Sequence, residues 1–176
     1  IQKQEKNREK IWPYIGGEEV NSSPVHAHRR FIIDFGDMSY ADSSSGWPDL
    51  MDIVSRLVKP QRLTDKRETY RKYWWRYAER RARLYPAIAP LTNCLAIARH
   101  APQFCIARLS AKAVFADSLD IFALESFSPF AVLQARPHEL WARFFGSSIK
   151  DDLRYTPSDC FETFPLPSAY EANLKL

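Results

Sequence analysis

Twelve prolines limit where regular structure can form along this chain of 176 residues. Proline fixes φ and lacks an N–H, so it is tolerated in the first turn of a helix but interrupts a helix from within. Pro48 therefore predicts the start of a helix that runs to about residue 58, and Pro60 predicts its end. Ser128-Pro129 predicts the start of another helix, which Pro137 kinks or divides and Gly146 closes.

The longest run of helical periodicity lies between Pro60 and Pro86, at residues 64–85. Aromatic residues recur along one side of this predicted helix and cations along another, the latter being Lys72, Arg76, Arg80 and Arg83. Residues 56–83 hold eleven Lys or Arg against three Asp or Glu, a net charge of +8, whereas the other 148 residues carry −4. A basic segment on a near-neutral body is typical of polyanion binding. We therefore predict phosphate contacts for the stripe and for Lys59 and Arg62; the alternative is an ordinary solvated face.

The remaining patterns predict an α+β fold, with a small mostly antiparallel sheet and about three substantial helices. Gly16-Gly17 predicts a turn between extended pieces, and residues 42–46 predict a loop. Residues 1–10 are expected to form a solvated lead-in or linker, and residues 11–176 one domain of a longer polypeptide. Runs of β-forming residues predict strands at 29–38, 93–101, 104–111 and 114–124.

Residue patterns that carry enzyme chemistry are scarce. The five glycines form no GxGxxG, P-loop or GxSxG motif. The three cysteines form no CxxC pair, and their odd number favours a reducing cytoplasm. No apolar run is long enough to predict a membrane span. We therefore expect a non-catalytic, cytoplasmic chain without a metal or cofactor of its own.

Polar side chains in two regions suit the reading of base edges. Arg99 and Arg108 alternate with apolar residues in predicted strands, and a proline-braced stretch follows at 151–167. Arginine can bind guanine bidentately and a carboxylate can accept from cytosine. The alternatives are ordinary solvent-facing arginines and a C-terminal strap that only closes the fold through Phe161, Phe164 and Leu166. The predicted base readers are Arg99, Arg108, Lys112, Lys150, Asp152, Arg154, Tyr155 and Ser158.

Six runs, in order along nearly the whole chain, resemble one family. They are PYIGGEEVN (13–21), RRFIIDFGDMS (29–39), VKPQR (58–62), YRKYWWRYAERR (70–81), LQARPHELWARFFGSSIKDDLRYTP (133–157) and CFETFPLP (160–167). These runs are similar to the C-terminal target-recognition region of large bacterial DNA methyltransferases. The enzymes are the adenine-specific ones of Type II (IIG, MmeI-like) restriction–modification and related phage-defence systems.

The resemblance implies a specificity module that binds double-stranded DNA in the major groove. An upstream domain of the same polypeptide would bind S-adenosylmethionine and methylate adenine at N6; some members also carry a nuclease. The quoted runs are mainly scaffold, so the resemblance implies packing roles in the core or between domains for Trp74, Trp75, Tyr77, Trp141, Phe161 and Phe164. A protein-docking module of a defence complex remains the alternative function.

Overall fold

The computed structural model describes residues 5–78, 81–149, 152–168 and 170. The chain forms two compact units, one of Ile1–Pro13 with Arg30–Arg80 and the other of Tyr14–Arg29 with Arg81–Leu176. The helices are α1 (Gly17–Ser22), α2 (Tyr40–Gly46), α3 (Pro48–Leu57), α4 (Lys59–Leu63), α5 (Glu68–Lys72), α6 (Leu84–Ile88), α7 (Phe127–Gln134), α8 (Arg136–Phe145) and α9 (Pro157–Cys160), preceded by a 3-10 helix at Glu5–Lys10. The strands are β1 (Ile11–Ile15), β2 (Arg30–Ile33), β3 (Asn93–Ala98), β4 (His100–Ala101), β5 (Ile106–Ser110), β6 (Val114–Phe115), β7 (Leu119–Phe122), β8 (Ser147–Ile149) and β9 (Asp152–Arg154).

The first unit packs around α3, which begins at Pro48 as predicted. Its apolar side buries Leu50, Met51 and Val54 in a cluster with Phe35, Trp47 and Trp74. The predicted loop at 42–46 is wrong, because these residues belong to α2. Ser39 caps that helix by accepting from the Asp42 N–H, and the buried Ser43 hydroxyl donates back to the Ser39 carbonyl. The serines thus satisfy the helix backbone instead of competing with it.

The predicted long helix at 64–85 is also wrong. Helix α5 ends at Lys72, and Tyr73 leaves the helical region with φ −114° and ψ 45°. Trp74 then lies in the core, and the Trp75 indole N–H donates to the Met38 carbonyl over 3.2 Å. Adjacent residues of a helix point about 100° apart. Burial of Trp74 together with the Trp75 hydrogen bond therefore outweighs the local helical pattern.

The second unit is built on an antiparallel sheet in the order β5-β3-β7. Strand β3 is buried on both faces because its side chains alternate between two cores. Cys94, Ala96 and Ala98 pack in a cluster with Leu119. Leu95 and Ile97 pack in the other cluster, whose members include Phe104, Phe122, Leu133 and Tyr155. Each large apolar side chain buried in this way contributes about 1.5–3 kcal/mol.

A second antiparallel sheet in this unit has the order β4-β9-β8. Pro137 lies in the first turn of α8, so it divides the predicted helix from α7, and Gly146 ends α8 as predicted. Gly16 caps α1, so the predicted Gly16-Gly17 turn opens a helix instead. The α+β class with small, mostly antiparallel sheets is confirmed. In the described part of the predicted lead-in, residues 5–10, Asn7 is buried.

Candidate nucleic-acid interface

Besides Arg76, three of the predicted phosphate-binding cations of the first unit lie over aromatic rings. The Lys59 Nζ lies 4.7 Å from the Trp74 ring centre, and the Arg62 guanidinium lies 4.7 Å from that of Tyr70. Lys72, exposed at the end of α5, has its Nζ 5.4 Å from the Tyr73 ring centre. These contacts orient the cations without neutralising them. All three therefore keep a positive charge that phosphate could meet.

Arg76 of the first unit has a different role from the predicted one. Its Nε and Nη2 donate to the Met38 carbonyl over 3.1 and 3.0 Å, and Nη2 also donates to the Asp37 carbonyl over 2.7 Å. The Asp37 carboxylate lies 3.6 Å from its Nη1. Arg76 is thus bound to the segment after β2, and its side chain is only 20% exposed. The predicted cationic stripe is wrong, since α5 ends before Arg76; Arg80 lies outside the described residues.

In the second unit, Arg99 lies between β3 and β4 and is held at several points. Its N–H donates to the Ser118 carbonyl, its own carbonyl accepts from the Tyr155 N–H, and its Nε donates to Asp120 Oδ1 over 2.9 Å. Asp120 is 7% exposed, and burial raises the pKa of its carboxyl against the opposing effects of Arg99 and Arg81. The Arg99 side chain is 46% exposed, so it faces solvent from a fixed position.

Arg108 and Lys112 lie on and beside β5. Arg108 is exposed opposite Leu95 of β3, and its Nε donates to the Glu125 carbonyl over 3.3 Å. Its guanidinium lies 4.9 Å from the Phe127 ring centre. The Lys112 side chain is exposed in the turn after β5. Both cations remain surface residues that can reach an external acceptor.

The β4-β9-β8 sheet places a row of polar residues side by side. Arg154 pairs with His100 on one neighbouring strand and with Ser147 on the other, and all three are exposed. Asp152 lies two residues away on the same strand and is also exposed. Partners in register share a face, so the four residues share one face of the sheet. The intervening Leu153 is buried against the core. We call His100, Ser147, Asp152 and Arg154 the polar row.

His100 and Ser147 were not among the predicted readers. The sequence signal that could have found them is the alternation of β9, which predicts that Arg154 and Asp152 face outward together. Ser147 becomes a neighbour of Arg154 through the local pairing of β8 with β9, whereas His100 does so through the pairing of β4 with β9, which joins distant parts of the chain. Ser158, by contrast, is exposed as predicted and its hydroxyl donates to Asp159. Lys150 lies outside the described residues.

Tyr155 is a wrong prediction as a base reader, because its side chain is 2% exposed. It follows Arg154 in the chain and therefore points to the opposite face of the sheet, into the core. With its proton on Nδ1, the neutral His138 ring donates to the Leu133 carbonyl over 2.7 Å, and its Nε2 accepts from the Tyr155 hydroxyl over 3.2 Å. The same Nε2 lies 3.3 Å from the Cys160 carbonyl oxygen. Burial lowers the pKa of His138 and raises that of Tyr155. This pair is a satisfied core network.

Residues 152–168 therefore combine the two roles that the sequence left open. Tyr155 and Cys160 are buried, and Phe161 and Leu166 pack against the same core cluster. Arg154 and Ser158 face outward from this anchored backbone. The aromatic residues expected to pack do so in different degrees: Trp74 is buried, and Trp75, Tyr77, Trp141, Phe161 and Phe164 are half-buried.

The described residues contain no group of three or more His, Cys, Asp or Glu placed to hold a metal ion. Among the same residues, no helix has the length and apolar character needed to cross a membrane.

Comparison with known proteins places this geometry in a family. No relative was found among the curated proteins. Among solved structures, the fold is similar to that of MmeI, a Type IIL restriction–modification enzyme solved in complex with DNA, with a TM-score of 0.68 and 14% identity. The match covers 93% of this chain but only 21% of the MmeI chain. The family described as "MmeI, target recognition domain" matches residues 1–168. The chain therefore belongs to the MmeI target recognition domain family.

Proposed function

We propose that this chain recognises a specific sequence in double-stranded DNA on behalf of a restriction–modification enzyme. The observation that carries the proposal is the family match over residues 1–168. The fold shared with MmeI, whose structure was solved with DNA, supports the same function. The polar row and the exposed cations described above are the parts of the chain that would meet DNA.

The polar row has the chemistry needed to read bases. Strands β8 and β9 form an antiparallel ribbon within the three-stranded β4-β9-β8 sheet. The exposed face of this sheet, which carries the polar row, would meet the base edges in the major groove. Arg154 has no side-chain hydrogen bond or ion pair to any residue in the described part of the chain, so its guanidinium is available to the O6 and N7 of guanine. Asp152 offers an acceptor beside it for the amino group of cytosine or adenine. The ribbon thus presents a donor and an acceptor from a backbone anchored by Leu153 and Tyr155.

Cations away from the polar row would hold the duplex by its phosphates. Lys59, Arg62 and Lys72 retain their charge on the first unit, and Arg83 is exposed on the second. Such contacts fix the register of a protein on DNA and make its affinity depend on salt. Arg76 is left out of this set because its guanidinium binds the carbonyls of Asp37 and Met38.

The chain spans about a fifth of the length of the MmeI chain that it matches, so the activity of a complete enzyme is part of the proposal. That enzyme would act in the cytoplasm, in defence against phage. Its upstream domain would bind S-adenosylmethionine and transfer the methyl group to the N6 of a flipped adenine. The residues described here would choose which adenine is presented.

The test is a binding measurement with the natural full-length polypeptide and a library of duplexes. We expect one sequence to bind about 10³-fold or more tightly than the others, with the logarithm of affinity falling linearly with the logarithm of salt concentration. Equal affinity for all duplexes would refute sequence recognition. Affinity independent of salt would refute the phosphate contacts.

Exposed apolar side chains on α8 support a second, compatible function in docking. Leu140, Phe144 and Phe145 are 51%, 80% and 46% exposed, and the Phe144 and Phe145 ring centres lie 4.8 Å apart. Apolar residues grouped in this way on a surface are typical of protein contacts. Replacing Phe144 with Ser should weaken association with the rest of the enzyme in a pull-down of separately expressed parts. Unchanged association would remove this candidate.

A further inference from the structure

A depression on the second unit collects three arginines around one buried carboxylate. Its lining includes Arg81, Arg83, Arg99 and Asp120, and its volume is about 420 Å³. Arginine outnumbers acid three to one in this described lining, so the depression carries a net positive charge. Only Arg99 among these residues was predicted to contact DNA bases, and Arg81 was not predicted to contact DNA at all.

Asp120 fixes the orientation of the Arg99 guanidinium. Asp120 of β7 pairs with Ile97 of β3, and Ile97 lies two residues before Arg99 in the chain. The Asp120 Oδ1 accepts from the Arg99 Nε over 2.9 Å. Within the described part of the chain, no acceptor engages the two Nη groups, which are the edge that binds phosphate or guanine bidentately. The carboxylate thus occupies one edge of the guanidinium and leaves the other for a ligand.

Two further cations converge on the same place. The Arg81 Nη2 donates to the carbonyl of Leu119, the residue before Asp120, over 2.8 Å. Arg81 itself has a φ of 35°, which a non-glycine residue seldom adopts and which its contacts must maintain. Arg83 is exposed and, among described residues, has no side-chain partner. A base edge needs one bidentate arginine, whereas three arginines around one depression match the charge and the several acceptor oxygens of a phosphate.

We infer that this depression binds a backbone phosphate of the DNA, with Arg99 and Arg83 as its ligands and Asp120 as the residue that positions Arg99. The inference rests on the proposed function, because the phosphate is that of the recognised duplex. It changes the role of Arg99 from the reading of a base to the holding of the backbone. Among the described residues, the buried Oδ2 atom of Asp120 has no hydrogen-bond partner. This unsatisfied oxygen makes a carboxylate at this position energetically unfavourable unless the carboxylate has a role such as the positioning of Arg99.

The first test uses Arg83→Ala and Arg99→Ala in the natural full-length polypeptide, with affinities measured over a salt series for the preferred duplex and for its single-base-pair variants. Each substitution should weaken binding to all duplexes by the same factor. The expected factor is about fivefold at 0.15 M salt, with the salt slope reduced by about 0.9, because the protein then neutralises one phosphate fewer. If Arg99→Ala weakened binding to the preferred duplex but not to the duplexes altered at one particular base pair, the inference would be overturned, and Arg99 would be the reader of that base pair.

The second test uses Asp120→Ala, because a pure charge effect and the loss of positioning predict opposite changes in the affinity for DNA. Removing a negative charge should strengthen binding to DNA if only net charge matters. Removing the acceptor of the Arg99 Nε should instead weaken binding about fivefold, to the level of Arg99→Ala, if Asp120 positions Arg99. In the Arg99→Ala background, Asp120→Ala should then cause no further weakening. Asp120→Asn retains an oxygen that can accept from Nε and should bind within about twofold of the wild type.

Circular dichroism and thermal melting identify any variant that fails to fold. Arg83→Ala is the variant least exposed to this problem, because it removes no hydrogen bond between described residues. Stronger binding by a folded Asp120→Ala protein would overturn the positioning role. If the wild-type polypeptide binds no duplex at all, the proposed function fails, and this outcome is distinct from a folded, DNA-binding protein whose Arg83 and Arg99 variants bind like the wild type.

Discussion

Replacing Arg76 with Ala should destabilise the first unit and leave the salt dependence of DNA binding unchanged. Arg76 donates to the carbonyls of Asp37 and Met38, and its guanidinium lies 4.7 Å from the Tyr73 ring centre. After the substitution, the Met38 carbonyl keeps its hydrogen bond from Trp75, and the exposed segment at Asp37 can bind water. The substitution removes the hydrogen bonding of Arg76 to two carbonyls. At about 1 kcal/mol for each carbonyl, this predicts a decrease of about 2 kcal/mol in the free energy of unfolding.

The measurement is urea unfolding followed by tryptophan fluorescence. Four of the five tryptophans, at positions 12, 47, 74 and 75, belong to the first unit, so the signal mainly reports that unit. A decrease of about 2 kcal/mol should lower the urea midpoint by about 1 M at the m-values of small proteins. Arg56→Ala is the matched control, since Arg56 forms an exposed i,i+4 pair with Asp52. It should cost less than about 0.5 kcal/mol.

The result that would refute this reasoning is specific. If Arg76→Ala unfolded at the same urea concentration as Arg56→Ala while the salt slope of DNA binding fell by about 0.9, Arg76 would be a phosphate ligand. The hydrogen bonds from Arg76 to the carbonyls of Asp37 and Met38 would then contribute little to stability. Arg76 would bind phosphate as predicted from the sequence, although it lies beyond the end of α5.

Three further predictions concern the second unit. Burial lowers the pKa of His138 below its unfolded value of about 6.5, so its contribution to the free energy of unfolding should be complete above that pH. Below it, the free energy of unfolding should fall by up to about 1.4 kcal/mol per pH unit, which urea midpoints at pH 7.5 and 5.5 should show. His138→Asn should abolish this pH dependence even if it lowers stability at every pH. Gly146→Ala should lower the free energy of unfolding by about 1–3 kcal/mol, because the Cβ of the new alanine would lie 2.4 Å from the Ala142 carbonyl oxygen. Gly46→Ala is the control, since a Cβ at Gly46 meets nothing within 4 Å and should be tolerated. Equal stabilities of the two variants in thermal or urea unfolding would contradict this prediction. Arg154→Ala should reduce discrimination at one base pair by about 1–3 kcal/mol without changing the melting temperature, and unchanged discrimination across a duplex library would remove Arg154 as a reader.

The parts of the fold that depend on local chemistry could be predicted from the sequence. Pro48, Pro137 and Gly146 mark helix boundaries that the structure confirms, because proline and glycine act through the backbone of their own residue. The β-forming run at 104–111 contains β5, and the run at 93–101 is divided between β3 and β4, which belong to different sheets. The helix predicted at 64–85 failed since burial of Trp74 is a tertiary effect, which residue spacing within one segment does not report.

The exposure of several candidate site residues could be predicted from the sequence, but their arrangement in space could not. Arg154, Asp152 and Ser158 were identified as exposed polar groups from their composition and from the prolines that brace them. Tyr155 was wrongly predicted to read bases because the sequence analysis did not assign a strand within the proline-braced stretch at 151–167, where β9 lies. The pairing of Arg99 with Asp120 joins residues 21 positions apart, and that pairing depends on the register of β3 with β7.

The polar row also limits how specificity can be exchanged between relatives. Arg154 and Ser147 belong to one ribbon, but His100 comes from a strand 47 residues earlier, and the three are adjacent only through the pairing of β4 with β9. If residues 147–154 alone were transferred from one relative to another, the transferred strands would pair with the residue that the receiving protein has at position 100. The resulting polar row would combine residues from two different recognition surfaces. Transfer of a complete preference therefore requires both segments to be moved together, as one discontinuous cassette.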